Sequence, residues 1–379
     1  TPAALCRNCH MRTTPYMVVD PRRDHPMRVP RVDYTAKYGI PNACTTPCHE
    51  DKPLEWAKDA IVKWYGPIRR RGNEYVAAFD AARRGLPEAE GLLRAAALNR
   101  TFPAVARATA IAELRSVLTA SSIDALQAGV SDADALVRAA AARTLDALPP
   151  PDRMRLGRRL LDDPVRLVRA SAAVSLAGMP AALLSAQDAL ALERGVREAI
   201  DVELAAAERP EAHINLSNLY LKIGRVRDAE AELHTALRLD PRGIAARVNL
   251  ADVFRAEGRE AEAERVLREA LGIDPGAAEA HHALGLLHIR LKRHDEALSH
   301  LGRAHRLRPD DARYGYVYAV GLDAVGRTER AVQVLAALHK TRPGDADIIA
   351  ALAAFEDRLG HPAAAAAWAE KLKAARGGR

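Results

Sequence analysis

A chain of 379 residues is too long for one ordinary hydrophobic core, and with aromatics at only 4% and alanine abundant it favours packed helices over sheets. No run of 18 apolar residues occurs, which excludes a helix able to cross a membrane. The formal charge is +7, and residues 1–75 supply much of it with thirteen Lys/Arg against eight Asp/Glu. No nucleic-acid reading module accompanies this excess, so nucleic acid is not expected as a partner.

The N-terminal segment is rich in Pro, Arg and Thr. Pro15, Pro21, Pro26, Pro30, Pro41, Pro47 and Pro53 interrupt any long helix, so residues 1–53 are expected to be irregular. Within them lies Cys6-Arg7-Asn8-Cys9-His10, the C-x-x-C-H spacing of covalent c-type haem attachment. Two thiols can form thioethers with the haem vinyl groups, and the adjacent histidine then ligates the iron. Cys44-Thr45-Thr46-Pro47-Cys48-His49 is a looser copy with three intervening residues. Together the motifs use all four cysteines, and they predict two haems c, with Cys6, Cys9, Cys44 and Cys48 as thioether residues and His10 and His49 as proximal ligands. The four cysteines could instead make a tetrahedral Cys₄ zinc centre or two disulfides. The histidine after each second cysteine is unnecessary for either. A short segment without its own core needs such a staple, and basic residues around it would balance haem propionates. Leu54, Trp56, Ala57, Ala60, Ile61 and Trp64 then form one apolar stripe, which predicts a helix over 52–65 ended by Gly66-Pro67.

Residues 73–178 repeat with period 31. Arg107, Arg138 and Arg169 keep this step, as do Leu114, Leu145 and Leu176, and Val105, Leu136 and Leu167 stand two residues before each arginine. The phrases resemble HEAT repeats, helical hairpins whose arginines would stabilise turns and link neighbours. Residues 179–208 read as a helical bridge. From 209 to 379 the period is 34: Pro241, Pro275, Pro309 and Pro343 recur, with Ala229, Ala263, Ala297 and Ala331, and with Leu233, Leu267, Leu301 and Leu335. Gly224, Gly258, Gly326 and Gly360 mark the turn inside each hairpin, and Lys292 replaces glycine in the third copy. Small residues Ser217, Ala251, Gly285, Ala319 and Ala353 recur where helices approach closely. This is the tetratricopeptide pattern, in five units at about 210–243, 244–277, 278–311, 312–345 and 346–375. Stacked hairpins make a superhelix with a concave face suited to peptide or protein partners. The expected fold is therefore all-α: a short irregular haem-binding segment followed by an α-solenoid, HEAT-like then tetratricopeptide, drawn out as a rod. Neither array supplies a nucleophile–base pair or a phosphate-cradling loop. His281, His282, His288, His294, His300 and His305 crowd the third unit, but no two on one helix have i,i+4 spacing, so solvated or packed histidines are expected there rather than a metal site. Tyr318 falls at a packing position.

CRNCHM, YMVVDPRRDHPMRVPR and GIPNACTTPCHEDKPLEWAKDAIVKWYG together resemble the multihaem c-type cytochromes of the cytochrome c554-like group, some of which run directly into HEAT and tetratricopeptide repeats. The resemblance spans residues 1–67 and the arrays behind them, and departs from the family at the longer Cys44–Cys48 spacing. It implies that His25, in the DH-x-x-R-V-P stretch, is a distal iron ligand; Met17 and Met27 are fallback ligands on their chemistry, though packing against the porphyrin face is the expected role of both. It also implies further C-x-x-C-H motifs upstream. Thr1 lies close before Cys6 without a starting Met, so a mature or truncated product of an exported, periplasmic precursor is expected. The resulting functional expectation is electron transfer through covalent haems, with a redox protein partner docked on the repeat surface. A haem enzyme reducing a small nitrogen or oxygen species, or a scaffold around a structural zinc or haem, are the alternatives.

Overall fold

The computed structural model describes residues 13–16, 20–23, 31–42, 44–45, 49–66 and 75–377. They fall into two compact units, one within residues 1–73 and the other within 74–379.

The first unit is less irregular than its prolines suggest. Strands β1 (Thr13–Tyr16) and β2 (Asp20–Arg23) pair antiparallel, with Pro15 opposite Pro21. A two-stranded ribbon consists of edges only, and an edge tolerates proline because its missing N–H need not face a neighbour. Helix α1 (Val32–Tyr38) was also hidden by the sequence pattern. It is short but well punctuated: Arg31 grips Asp33 at 2.6 and 2.9 Å while stacking on Tyr34, and Gly39 ends the helix at φ +67°. Helix α2 (Leu54–Tyr65) begins after Pro53 and stops at Gly66, whose φ is +76°.

In the second unit every described element is helical. Helix α3 (Tyr75–Arg83) leads into three hairpins: α4 (Ala89–Leu98) with α5 (Ala104–Leu114), α6 (Ile123–Gly129) with α7 (Ala135–Thr144), and α8 (Pro150–Gly157) with α9 (Arg166–Leu176). Leu93, Ile111, Leu114, Leu126, Leu145, Leu160 and Leu176 form their buried seam. The 31-residue arginines tie it together. Arg107 donates to the Phe102 carbonyl and to Asp132, Arg138 to the Asp132 carbonyl and Asp163, and Arg169 to the Asp163 carbonyl and Glu198. Each guanidinium thus closes the turn before its own helix and grips a carboxylate on the next unit. Helix α10 (Ala186–Leu204), opened by a reciprocal Ser185/Asp188 cap, carries the chain onward.

Five further hairpins follow: α11 (Pro210–Lys222) with α12 (Val226–Leu239), α13 (Ile244–Ala256) with α14 (Glu260–Ile273), α15 (Ala278–Arg290) with α16 (His294–Leu307), α17 (Ala312–Ala324) with α18 (Thr328–Thr341), and α19 (Ala346–Arg358) with α20 (Pro362–Gly377). The turn glycines 224, 258, 326 and 360 have φ between +74° and +77°, and Lys292 is held at +59° in the same place. Gly285 is needed for close approach: a Cβ there would fall 2.6 Å from the Leu301 side chain. Lys222 joins the two arrays by donating to Asp146 and to the Val174 carbonyl.

The second unit is not an open rod. The Gly344 N–H, between α18 and α19, donates to the Gly85 carbonyl, between α3 and α4, at 3.0 Å. Arg342 lies on Gly85, and a Cβ on Gly344 would fall 2.8 Å from the Pro87 backbone. Local periodicity specifies each hairpin; the small rotations between successive hairpins add up to this return.

Candidate functional site

Of the expected haem residues, Cys6, Cys9, His10, His25 and Cys48 lie outside the described residues, as do Met17 and Met27. Cys44 and His49 are described. Asn42, almost fully buried, organises the approach to Cys44. Its side-chain carbonyl accepts the Cys44 and Thr45 N–H groups at 2.9 and 3.1 Å, while its amide donates to Thr35 and Thr45 hydroxyls at 3.0 Å. One side chain thus pins Cys44 and Thr45 to α1. The His49 ring lies 4.6 Å from the Trp56 ring on α2. The same helix buries Ala57 but leaves Trp64 and Tyr65 68% and 82% exposed, with Trp56, Val62 and nearby Ile40 also open to solvent. Trp56 therefore flanks His49, while Cys44, five residues before it, is half-buried.

The arrays present a second kind of surface. Val105, Leu136 and Leu167 stand exposed at 31-residue intervals along the HEAT-like hairpins, so the apolar residue before each ladder arginine faces solvent rather than the core. In the tetratricopeptide region Leu286 and Val320, one repeat apart, are likewise exposed. Where the turn from α16 into α17 meets the residue after α18, a cleft of about 390 Å³ is lined by Arg308, Asp310, Asp311, Arg313 and Arg342.

Within the tetratricopeptide hairpins, the fourth residue of successive units performs one task. His213 Nε2 lies 2.9 Å from the Ala207 carbonyl, Arg247 donates to the Pro241 carbonyl at 2.9 Å, and His281 Nε2 lies 3.2 Å from the Pro275 carbonyl. The other face of each imidazole reaches across its hairpin to the residue nineteen positions later. His213 Nδ1 meets Glu232 at 2.6 Å, and His281 Nδ1 meets His300 Nδ1 at 2.9 Å. His288 stacks on His300, with ring centres 5.6 Å apart. The helical spacing within α15 could not show this gathering, because the joining residue is on α16; the nineteen-residue interval is the signal that finds it. No group of three or more His, Cys, Asp or Glu side chains among the described residues is arranged to hold a metal ion. Tyr318, expected in the core, is partly buried beside His305 and packs against the cluster formed by Ala319 and Leu335.

Two tetratricopeptide repeat families match the chain, at residues 214–278 and 254–320. Residues 214–320 are tetratricopeptide repeats. Among solved structures, the array is similar to MamA from Desulfovibrio magneticus RS-1, at 18% identity and a TM-score of 0.39 over 45% of this chain and 96% of that one. It is similar also to YrrB, described as a TPR protein with an unusual peptide-binding site, at 23% identity and a TM-score of 0.36 over 44% of this chain and 87% of that one. No curated protein matches the chain. Tetratricopeptide arrays are surfaces for protein–protein interaction, and no described helix is long and apolar enough to cross a membrane.

Proposed function

We propose that this protein carries electrons through two covalently attached haems c in residues 1–67 and uses its repeat arrays to dock a redox protein partner. The observation that carries the reading is the contact of His49 with Trp56 on α2, a helix that also leaves Trp64 and Tyr65 uncovered, in a unit whose sequence holds two Cys-Cys-His motifs. Flat aromatic and aliphatic side chains at 40–65 suit the apolar face of a porphyrin, and burying them would remove a large solvent-exposed apolar area. Cys6, Cys9 and His10 would hold one haem, Cys44, Cys48 and His49 the other, with His25 as a distal ligand. The Asn42 turn supports this by fixing Cys44 before attachment. Bound haem supplies one-electron chemistry at iron. The chain's own part is to orient the group, exclude water from it and present it to a partner. Covalent attachment outside the cytoplasm places the loaded protein in the periplasm or an equivalent compartment.

The test is the full chain produced in a host that attaches haem c during export. After acid-acetone extraction, a pyridine haemochrome assay is expected to give two haems per chain. One haem per chain would remove the Cys44/Cys48 site. A haem-free protein carrying stoichiometric zinc would replace the reading with the scaffold alternative. A pure carrier is further expected not to bind carbon monoxide when reduced; binding would favour the haem enzyme.

A further inference from the structure

The third tetratricopeptide unit contains an unusual internal contact. A carbonyl can only accept, so the hydrogen between His281 and the Pro275 carbonyl resides on Nε2. Arg247, which can only donate, makes the equivalent bond to Pro241 one repeat earlier, and this confirms the polarity of the position. Neutral His281 therefore presents a lone pair at Nδ1, and His300 must supply the single hydrogen in their 2.9 Å contact. His288 is almost fully buried against the His300 ring, and its Nδ1 has no hydrogen-bond partner among the described residues. Three imidazoles thus form a row inside one hairpin, and the row is electrically neutral.

We infer that the row His281–His300–His288 is an acid-sensitive latch holding α15 to α16 in the middle of the docking array. A first added proton can be tolerated if His300 changes tautomer and accepts from His281. A second puts two N–H groups face to face and two like charges in contact, with a third imidazole stacked behind. The surroundings offset that charge only in part. From α14, Arg268 faces the row and Glu264 is occupied by Arg268 and Arg293, at 2.6 and 3.0 Å. From α16, Arg303 and Arg306 face His281. Glu296 is the remaining carboxylate, 3.7 Å from His288 and mostly in solvent. Burial, followed by the neighbouring His281 and His288, pushes His300 down to about 4, in keeping with this geometry. Groups held neutral in the fold bind more protons when released. The hairpin is therefore fully stabilised above the ordinary histidine pKa of 6.5 and loses stability as pH falls below it. Opening this unit would separate the first two tetratricopeptide units from the last two.

The experiment is hydrogen exchange read by mass spectrometry on the full chain at pH 7.5 and 5.0, corrected for intrinsic exchange. Peptides of α15 and α16 are expected to accelerate at least ~10-fold more than those of α6–α9, which contain no histidine. Equal change in both regions overturns the proposal without any variant. His300→Leu and His281→Gln should each abolish the excess at pH 5.0; persistence in both would place the acid response elsewhere and also overturn it.

Discussion

Lys292 shows how a repeat can keep its backbone while losing the residue that suits it. Four turns use glycine near φ +75°, whereas Lys292 occupies φ +59° with a Cβ that crowds its own carbonyl. Lys292→Gly is therefore expected to stabilise the chain by about 0.5–1 kcal/mol, the relief of strain less the extra entropy of an unfolded glycine. Denaturant unfolding against the parent measures it, and a loss of stability would mean the lysine side chain contributes more than its strain costs. The 34-residue period makes the third-unit exception visible in the sequence alone. It could not show Asn42 pinning Cys44, because that turn depends on hydrogen bonds among residues with no repeat to compare, nor could it bring His300 to His281 from the spacing along one helix.

At the scale of the element, the arginine ladder makes the HEAT-like hairpins interdependent. Arg138 and Asp163 are both largely buried and share two hydrogen bonds, at 2.7 and 3.0 Å. Burial alone would raise the Asp163 carboxyl, but Arg138, the Val165 N–H and Arg169 together hold it below the usual range. Arg138→Ala leaves that carboxylate buried without its partner and is expected to cost about 3 kcal/mol, measurable by urea unfolding at pH 7. The sign with pH follows from the lowered carboxyl. Its contribution is complete above the unfolded value near 3.8 and is lost as pH falls through the folded one. The gap between parent and variant should therefore narrow under strong acid. Helix starts at Pro210, Ile244, Ala278, Ala312 and Ala346 were legible because the 34-residue repeat places each break at one register. The β1–β2 ribbon and α1 were not, since seven prolines signal interruption without saying what forms between them.

For the second unit as a whole, the return of residue 344 to residue 85 is the feature no repeat period encodes. It depends on two glycines: Gly85 at φ +58° under Arg342, and Gly344 against Pro87 with no room for a Cβ. Gly344→Val should prise this contact apart while leaving every hairpin intact. The expected reading is an increased radius of gyration in solution scattering with an unchanged far-ultraviolet helical signal. An unchanged radius would show that the contact is not maintained by this glycine.

A stack of repeats ordinarily frays at both extremities, because the outermost unit has one neighbour instead of two. Here the leading hairpin is moored to a turn some 260 residues later, and the loop-closure entropy of so long a span grows only logarithmically with its length. Helix α3 lies before the mooring, and α19 and α20 extend past it. The hairpins from α4 to α18 therefore form a closed circuit: digestion by a protease should begin in the helices outside it, α3 on one side and α19 and α20 on the other, while the hairpins inside give way only when the whole circuit does.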